Sequence, residues 1–409
     1  MPLRSVVILN SFCHVQGGAS RVAIDEAVGL ARRGIAVTFV GAVGPVSEEL
    51  SVAGLRVVCL EQPQMADGLS SPKVAIQGLW NAAAYEAMKA VLRECDRRDT
   101  IVHLHGFTQG LSSSPVRCSL RRGFRVICTL HEYVTACPNG AFFDYVSESS
   151  CGRRPLSMQC LTRNCDKRMY VHKAYRVLRT GVQRTLGGLP GGVMHYIGLS
   201  HSSVDMLRPY LPREARIFFL GNPVEVPRAP PVDVARNHVV VVIGRLDPEK
   251  GVELIIQAAR TSGTEVLFVG DGPLRGLAEK SGTCGVTGWL PRDQVLASLD
   301  SARALAFPSL WCETFGLSVA EASARGVPAI VSDICGTAER VEHNVTGWHF
   351  RTGDVADLVR RFEGIRDDTL LASAGRASYE RFWSAPPTRE WHTDELLQIY
   401  EQALTSDYG

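Results

Sequence analysis

Short continuous apolar runs alternate with amphipathic stretches along almost the whole chain. The runs SVVIL (5–9), AVTFV (36–40), RVVCL (56–60), IVHLH (101–105), RVICTL (125–130) and YIGLS (196–200) have the length and composition of strands buried on both faces. Helix-like sequence runs from Ala19 to a stop at Gly34, and helical periods recur over 74–94, 168–184 and 201–211. Strands alternating with helices predict a parallel sheet covered by helices, which makes this stretch a first α/β domain.

RIFFLGNPVEVPRAPPVDVARNH (216–238) ends one such strand and then turns proline-rich and irregular, the composition of an interdomain linker. A second β/α series begins at HVVVVIG (238–244) and continues through EVLFVG (265–270), ALAFP (304–308) and PAIVS (328–332). In the last helical stretch, around 388–403, Trp391, Leu396, Leu397, Ile399 and Tyr400 fall near one face. The fold class predicted is α/β, with two Rossmann-like domains in tandem and ligand at the carboxyl ends of the strands.

Composition narrows the function. A length of 409 residues suits two ordinary domains, and 45% hydrophobic with 21% charged residues suits a globular protein with substantial cores. A net charge of +2 argues against a dedicated nucleic-acid binder. MPLRSVVILNSF has only a short apolar run, so no signal peptide is expected, and no stretch approaches the length of a membrane span. The expected location is the cytoplasm. Of 12 cysteines, Cys13, Cys59, Cys95, Cys118, Cys128, Cys284, Cys312 and Cys335 are scattered and read as small core residues.

Two turns carry phosphate-binding chemistry. GRLDPEKG (244–251) follows the strand VVVVI directly, placing Gly244 at its end, then Arg245 and Lys250, then a helix starting near Gly251. Two cations across one turn beside a helix N-terminus can converge on an anion; the alternative is a surface turn with solvated charges. GDGP (270–273) follows the next strand, and Gly270 and Gly272 would let backbone lie against a ligand. Neither turn has the G-x-G-x-x-G of dinucleotide binding or the G-x-x-x-x-G-K-[ST] of a P-loop, which disfavours nicotinamide enzymes and P-loop NTPases.

WCETFGLSVAE (311–321) adds two carboxylates. Glu313 is expected on a loop and Leu317 to Arg325 in a helix that contains Glu321. On one ideal helix the two would sit roughly 80° apart, but they need not share it. The N–H groups of Phe315, Gly316 and Leu317 would then point at an anion. Alternatively, Glu313 is a favourable charge at a helix start and Glu321 a solvated face residue.

Gly17-Gly18, His131, GRLDPEKG, GDGP, E-T-F-G-x-x-x-x-E (313–321) and the following ARGVPAI together resemble the retaining GT-B glycosyltransferases of family 4 (glycosyl transferases group 1). The resemblance spans nearly the whole chain. It implies an N-terminal acceptor domain (1–222), a C-terminal donor domain (223–384) and a final segment (385–409) whose helix crosses back to the first domain. It implies a UDP- or GDP-sugar donor and a retaining mechanism without a catalytic metal. Arg245 and Lys250 would hold the diphosphate, Glu321 the ribose and Glu313 the sugar hydroxyls. Backbone from Thr314 through Phe315 and Gly316 to Leu317 would lie by the sugar and β-phosphate. Gly18, beside Gly17, would let backbone approach the diphosphate, and His131 would touch the transferred sugar. Two departures bear on sugar and acceptor preference: Glu132 follows His131 where aspartate is common, and CGTAE (335–339) replaces a glycine-proline-glutamate loop, keeping Glu339.

After His131 comes an insert, about 134–167, with Cys137, Cys151, Cys160 and Cys165. Four thiolates could tie down this polar loop around a structural zinc ion, with free thiols as the alternative. From Arg153 to Arg184 nine basic residues face one acid, Asp166. MYVHKAYRVLRTGVQ reads as a basic amphipathic helix, either a solvated face or a contact with anionic membrane lipid or a lipid-linked acceptor. The functional expectation is transfer of a sugar to a saccharide acceptor, such as a lipid-linked oligosaccharide or polysaccharide intermediate. The competing readings are a non-hydrolysing nucleotide-sugar epimerase and a non-catalytic sugar-nucleotide-binding subunit.

Overall fold

The computed structural model describes residues 2–65, 71–334 and 336–405. Cys335 and the last four residues of the chain lie outside them. Among the described residues the N-terminal domain has the strands β1 (Ser5–Leu9), β2 (Ala36–Gly41), β3 (Leu55–Cys59), β4 (Thr100–Leu104), β5 (Arg125–Thr129), β6 (Phe143–Asp144), β7 (Ser149–Ser150), β8 (His195–Gly198) and β9 (Arg216–Phe219). Seven of them form a parallel sheet in the order β3-β2-β1-β4-β5-β8-β9, while β6 and β7 pair as a small antiparallel ribbon. Its helices are α1 (Gly18–Arg32), α2 (Pro72–Leu79), α3 (Ala82–Val91), α4 (Ser114–Arg121), α5 (Met158–Thr162), α6 (Tyr170–Thr185) and α7 (His201–Leu207). Val6, Val7, Ile8 and Leu9 of β1 are all buried, because α1 covers one face of the sheet and α3 and α4 the other.

The C-terminal half repeats the scheme with β10 (Val239–Ile243), β11 (Val266–Val269), β12 (Cys284–Val286), β13 (Ala302–Phe307), β14 (Ala329–Ser332) and β15 (Gly347–Phe350). Their order, β12-β11-β10-β13-β14-β15, changes direction between β10 and β13, and the first sheet changes direction between β1 and β4. Helices α8 (Val252–Ser262), α9 (Arg275–Glu279), α10 (Arg292–Asp300), α11 (Leu317–Arg325), α12 (Val355–Gly364) and α13 (Asp368–Ser384) cover this sheet. Crevices at such reversals are where open α/β sheets bind ligands.

The last helix, α14 (Arg389–Thr405), packs against α1 of the first domain. Leu396, Ile399, Tyr400, Ala403 and Leu404 are buried in the same cluster as Ile8, Ile24 and Ile101. Burying a large apolar side chain of this kind stabilises by about 1.5–3 kcal/mol, so α14 is a structural part of the first domain. Trp391 departs from the apolar face expected of it, being 45% exposed, while His392 and Thr393 are buried in its place. Among the described residues no helix is long and apolar enough to cross a membrane.

Local chemistry explains where other elements differ from expectation. The helical period over 74–94 breaks in two, because Asn81 leaves the helix. Its side chain caps α3 through Ala84 N–H (3.1 Å) and donates to Gln62 (2.7 Å) and the Gly110 carbonyl (2.8 Å). Strands β12 and β15 were not anticipated. They are three and four residues long at the two edges of the sheet, too short to show a period.

Candidate functional site

The carboxyl ends of the two sheets face each other across a cleft whose walls touch at several points. Tyr133 Oη donates to the Cys312 carbonyl (2.8 Å), and Thr314 Oγ1 donates to the His131 carbonyl (3.1 Å). Glu339 accepts from the N–H groups of His201 (2.9 Å) and Ser202 (2.7 Å) and from the Ser202 hydroxyl. These bonds place His131 directly against the Glu313–Leu317 loop.

On the C-terminal wall, the turns after β10 and β11 lie back to back, so closely that a side chain on Gly270 would strike the Gly244 carbonyl. Gly272 is packed on the Leu246 backbone in the same way. Arg245 is 56% exposed toward the cleft, 3.1 Å from Asp247 and 3.8 Å from Glu249. Lys250 pairs with Glu313 Oε1, which also accepts from Trp311 Nε1 (2.8 Å) and Ser309 Oγ (2.9 Å). Lys250, Arg245, Pro308 and Ser309 line one pocket at the ends of β10 and β13. The lysine therefore shares its carboxylate with two neutral donors, which hold that carboxylate in place while leaving the ammonium at the pocket.

The loop then turns into α11 at Gly316, whose φ of 73° suits glycine and whose side-chain position is filled by Thr337. Phe315 is buried under the Arg340 guanidinium, 3.6 Å from its ring centroid. As the sequence indicated, Glu313 precedes the helix and Glu321 lies within it. Glu321 is buried and 3.0 Å from Arg292 of α10, a partner that the sequence did not reveal. Burial raises the Glu321 carboxyl above its usual range against the pull of Arg292.

On the N-terminal wall, Gly17 and Gly18 open α1, and a side chain on either would meet nothing within 4 Å. Their backbone is held by Ser20 Oγ, which accepts from Gln16 N–H (2.8 Å) and Gly17 N–H (3.1 Å). Among the described residues no packing demand accounts for the two glycines.

Behind His131 lies a polar network that the sequence reading did not assemble. His131 Nε2 is 2.9 Å from His105 Nδ1, and the two rings stack at 5.2 Å. Glu26 Oε2 sits 3.2 Å from His105 Nε2 and 3.1 Å from His103 Nδ1. His103 reaches Thr129 (2.7 Å) and Tyr400 Oη (2.7 Å), and His392 Nε2 meets Glu26 Oε1 at 3.0 Å. His392 Nδ1 faces the Gly221 carbonyl at 2.9 Å, which turns Nε2 toward Glu26. Burial would raise Glu26, but His105 and His103 hold it well below the usual carboxylate range. Burial, reinforced by His105, pushes His131 well below the usual imidazole range and keeps it neutral. The available signal was the H-x-H of IVHLH: residues two apart on a strand share a face, and two imidazoles on a buried face need a partner.

The insert brings Cys137, Cys151, Cys160 and Cys165 around one small enclosed cavity. Lys173 of α6, 1% exposed, points its ammonium between two of them, 3.1 Å from Cys165 Sγ and 3.5 Å from Cys160 Sγ. The basic run is largely folded inward. Arg153 and Arg163 pair with Asp144 (3.1 and 2.7 Å), and Arg176 pairs with Asp166 (3.2 Å).

Two facing Rossmann-like domains with an exchanged C-terminal helix define the GT-B fold. Over 99% of its length the chain superposes on all of the sucrose-phosphate synthase of Thermosynechococcus elongatus, with a TM-score of 0.69 at 17% identity. HepE of Anabaena, solved in complex with UDP, matches 98% of the chain over its full length, with a TM-score of 0.66 at 15% identity. Residues 229–381 match the family model described as Glycosyl transferases group 1. A GDP-mannose-dependent alpha-(1-6)-phosphatidylinositol monomannoside mannosyltransferase of Mycobacterium tuberculosis is 33% identical over 190 residues, 41% of this chain and 47% of that protein. A glycogen synthase of the same organism is 34% identical over 176 residues, 39% of this chain and 42% of that protein. The chain thus spans about half the length of the curated relatives it matches.

Proposed function

We propose that this chain is a glycosyltransferase that moves one sugar from a nucleotide-diphosphate sugar to a saccharide acceptor, with retention of anomeric configuration. The observation that carries the reading is the convergence of Arg245, Lys250, Glu313 and the start of α11 on one side of a cleft and His131 on the other. The relative named for its dependence on GDP-mannose supports a nucleotide-sugar donor, with the base of the nucleotide left open between uracil and guanine.

In the proposed step the bond from the anomeric carbon to the β-phosphate oxygen breaks. The acceptor oxygen bonds to that carbon on the same face, and its proton passes to the departing phosphate. Arg245 and Lys250 stabilise the charge that grows on the diphosphate, the work a divalent metal would otherwise do, so the step itself needs no metal. Glu313, freed from Lys250 as the lysine turns to phosphate, accepts hydrogen bonds from the sugar hydroxyls, and neutral His131 lies against the sugar. Glu321 takes the ribose, and the N–H groups from Thr314 to Leu317 meet the sugar and β-phosphate. A thermal-shift series of nucleoside diphosphates and their sugars tests the reading. At about 100 times its Kd a true ligand stabilises by roughly 2.7 kcal/mol, and a melting point indifferent to all of them would refute a donor site here.

Two companion proposals concern the insert. The four cysteines gathered around one cavity fit a structural zinc site, four sulfurs being a complete zinc ligand set, and the Lys173 ammonium beside Cys160 and Cys165 would offset part of the negative charge of such a set. The sulfurs are spread more widely than the Glu26, His103 and His105 ligand atoms, the one such group within 4.8 Å among the described residues. Zinc would draw them inward. Metal analysis of protein purified without chelator should return close to one zinc per chain, and a content near zero would end the proposal. Exposed Met158, Met169, Tyr170 and Val171 beside the basic residues support peripheral contact with anionic membrane. Sedimentation with vesicles should then depend on anionic lipid and on salt.

A further inference from the structure

The cysteine insert of the first domain also touches the second. Ser150 Oγ donates to the Leu310 carbonyl (3.4 Å), and Lys167 Nζ lies 4.0 Å from Glu249 Oε1. These two points are neighbours, because Leu310 N–H donates to the Glu249 carbonyl at 2.9 Å. Each also adjoins the candidate donor site. Glu249 precedes Lys250 and Leu310 follows Ser309, and both Lys250 and Ser309 bind Glu313 Oε1. The insert therefore seats on the turn that carries the two cations of the site.

Lys167 is held in place from behind. The Cys165 carbonyl accepts from Asn139 Nδ2 (2.6 Å), and Asp166 pairs with Arg176 (3.2 Å). The ammonium of Lys167 then extends beside the Tyr145 ring, 5.4 Å from its centroid, within cation–π range.

The charges around Glu249 show what this contact does. Glu249 Oε1 is also approached by Arg245, at 3.8 Å, and Arg245 meets Asp247 at 3.1 Å. Both carboxylates are buried, and Asp247 Oδ2 and Glu249 Oε2 are enclosed with no hydrogen-bond partner among the described residues. Their charge is left to neighbouring cations, and Lys250 is committed to Glu313. Without Lys167, drawing Arg245 onto a diphosphate would leave both carboxylates buried and unpaired, which is costly. Lys167 gives Glu249 a second cation. Burial raises the Glu249 carboxyl, and Lys167 and Arg245 draw it back down.

We propose that Lys167 is a positioning residue for donor binding: by pairing with Glu249 it releases Arg245 to the diphosphate, so the folded insert of one domain sets how well the other holds the donor. The proposal rests on the glycosyltransferase reading and deepens it at the same site.

The test is calorimetric titration of UDP and GDP into the full-length unaltered chain, Lys167→Gln and Lys167→Arg. The lysine side chain is 42% exposed, so neither substitution should move the urea midpoint. Lys167→Gln should weaken the nucleotide about fivefold, the upper range for a partly exposed ion pair, and Lys167→Arg, which keeps the charge, should restore it. On a Glu249→Gln background no carboxylate has to be held, so Lys167→Gln should change nothing there, a result that lost packing alone would not give. Should Glu249→Gln fail to fold, the comparison of Lys167→Gln with Lys167→Arg decides by itself. Equal affinity of the unaltered and Lys167→Gln chains, failure of Lys167→Arg to restore binding, or an undiminished loss on the Glu249→Gln background each overturns the proposal and leaves the donor site standing. Binding of neither nucleotide by the unaltered chain would instead refute the glycosyltransferase reading, and this proposal with it.

Discussion

On the C-terminal wall of the cleft, the candidate residues sit at the ends of strands or in the segments just after them. Arg245 and Lys250 follow β10, Glu313 follows β13, and Glu321 lies in the helix that comes next. On the N-terminal wall, the groups behind His131 come from α1, β4, β5 and α14, and Glu26 and His392 are 366 residues apart in sequence. The first wall is made of local pieces whose cations keep some exposure, 56% of the Arg245 side chain and 24% of Lys250; the second is a buried assembly that exists only once the domain has closed around it. A change on the first should therefore disturb chemistry and spare stability, and a change on the second should disturb stability as well.

Lys250→Ala is expected to have the largest effect. Removing one group that stabilises developing charge lowers kcat by about 10²–10³. Its ammonium is partly exposed, so urea unfolding should move little. Steady-state kinetics beside a denaturant titration would show whether the two properties separate as the contrast requires. Glu26→Leu should do the reverse in emphasis, removing the carboxylate that three imidazoles share and costing about 3 kcal/mol of stability. An unchanged unfolding midpoint would mean that the network does not hold the first domain together.

Acid should separate the walls further. His103 is held down to about 4, mainly by burial, whereas the unfolded chain takes up that proton near pH 6.5. Between these values the unfolded state binds more protons, so stability falls as pH drops, by about 2 kcal/mol from His103 alone at pH ~5. His195 is likewise held to about 4, and burial opposed by its histidine neighbours leaves Glu26 low, so its share is lost only in stronger acid. On the other wall, Glu249 and Glu321 are raised by burial, and falling pH through their range favours the folded form. Hydrogen exchange at pH ~5 should then open β4 and β5 before β10 and β13. The smallest effect is expected from Tyr133→Phe, which deletes the bond to the Cys312 carbonyl across the cleft and should cost about 1 kcal/mol.

The same contrast explains what could be read from the sequence. Both parallel sheets were legible, because strands buried on two faces are continuous apolar runs, and so were the turn after β10 and the start of α11. Glu313 and Glu321 were correctly divided between loop and helix. What stayed hidden was pairing across distance. Arg292 gives no local sign that it will meet Glu321, and nothing near Lys250 announces that it will rest on Glu313. The basic run after Arg153 offered a solvated face or a contact with anionic lipid or a lipid-linked acceptor, and neither showed that Arg153, Arg163, Lys173 and Arg176 would find partners in the insert. Asn81 broke an expected helix for the same reason: its side chain found better bonds outside it.

The central claim is that the cations after β10 bind the diphosphate of a nucleotide donor. Calorimetric titration of UDP and GDP into the unaltered chain and into Lys250→Ala tests it most directly. The account predicts that one nucleotide binds the unaltered chain and that the substitution weakens it at least tenfold while leaving the fold intact. Binding of neither nucleotide, or equal affinity for both proteins, would contradict it.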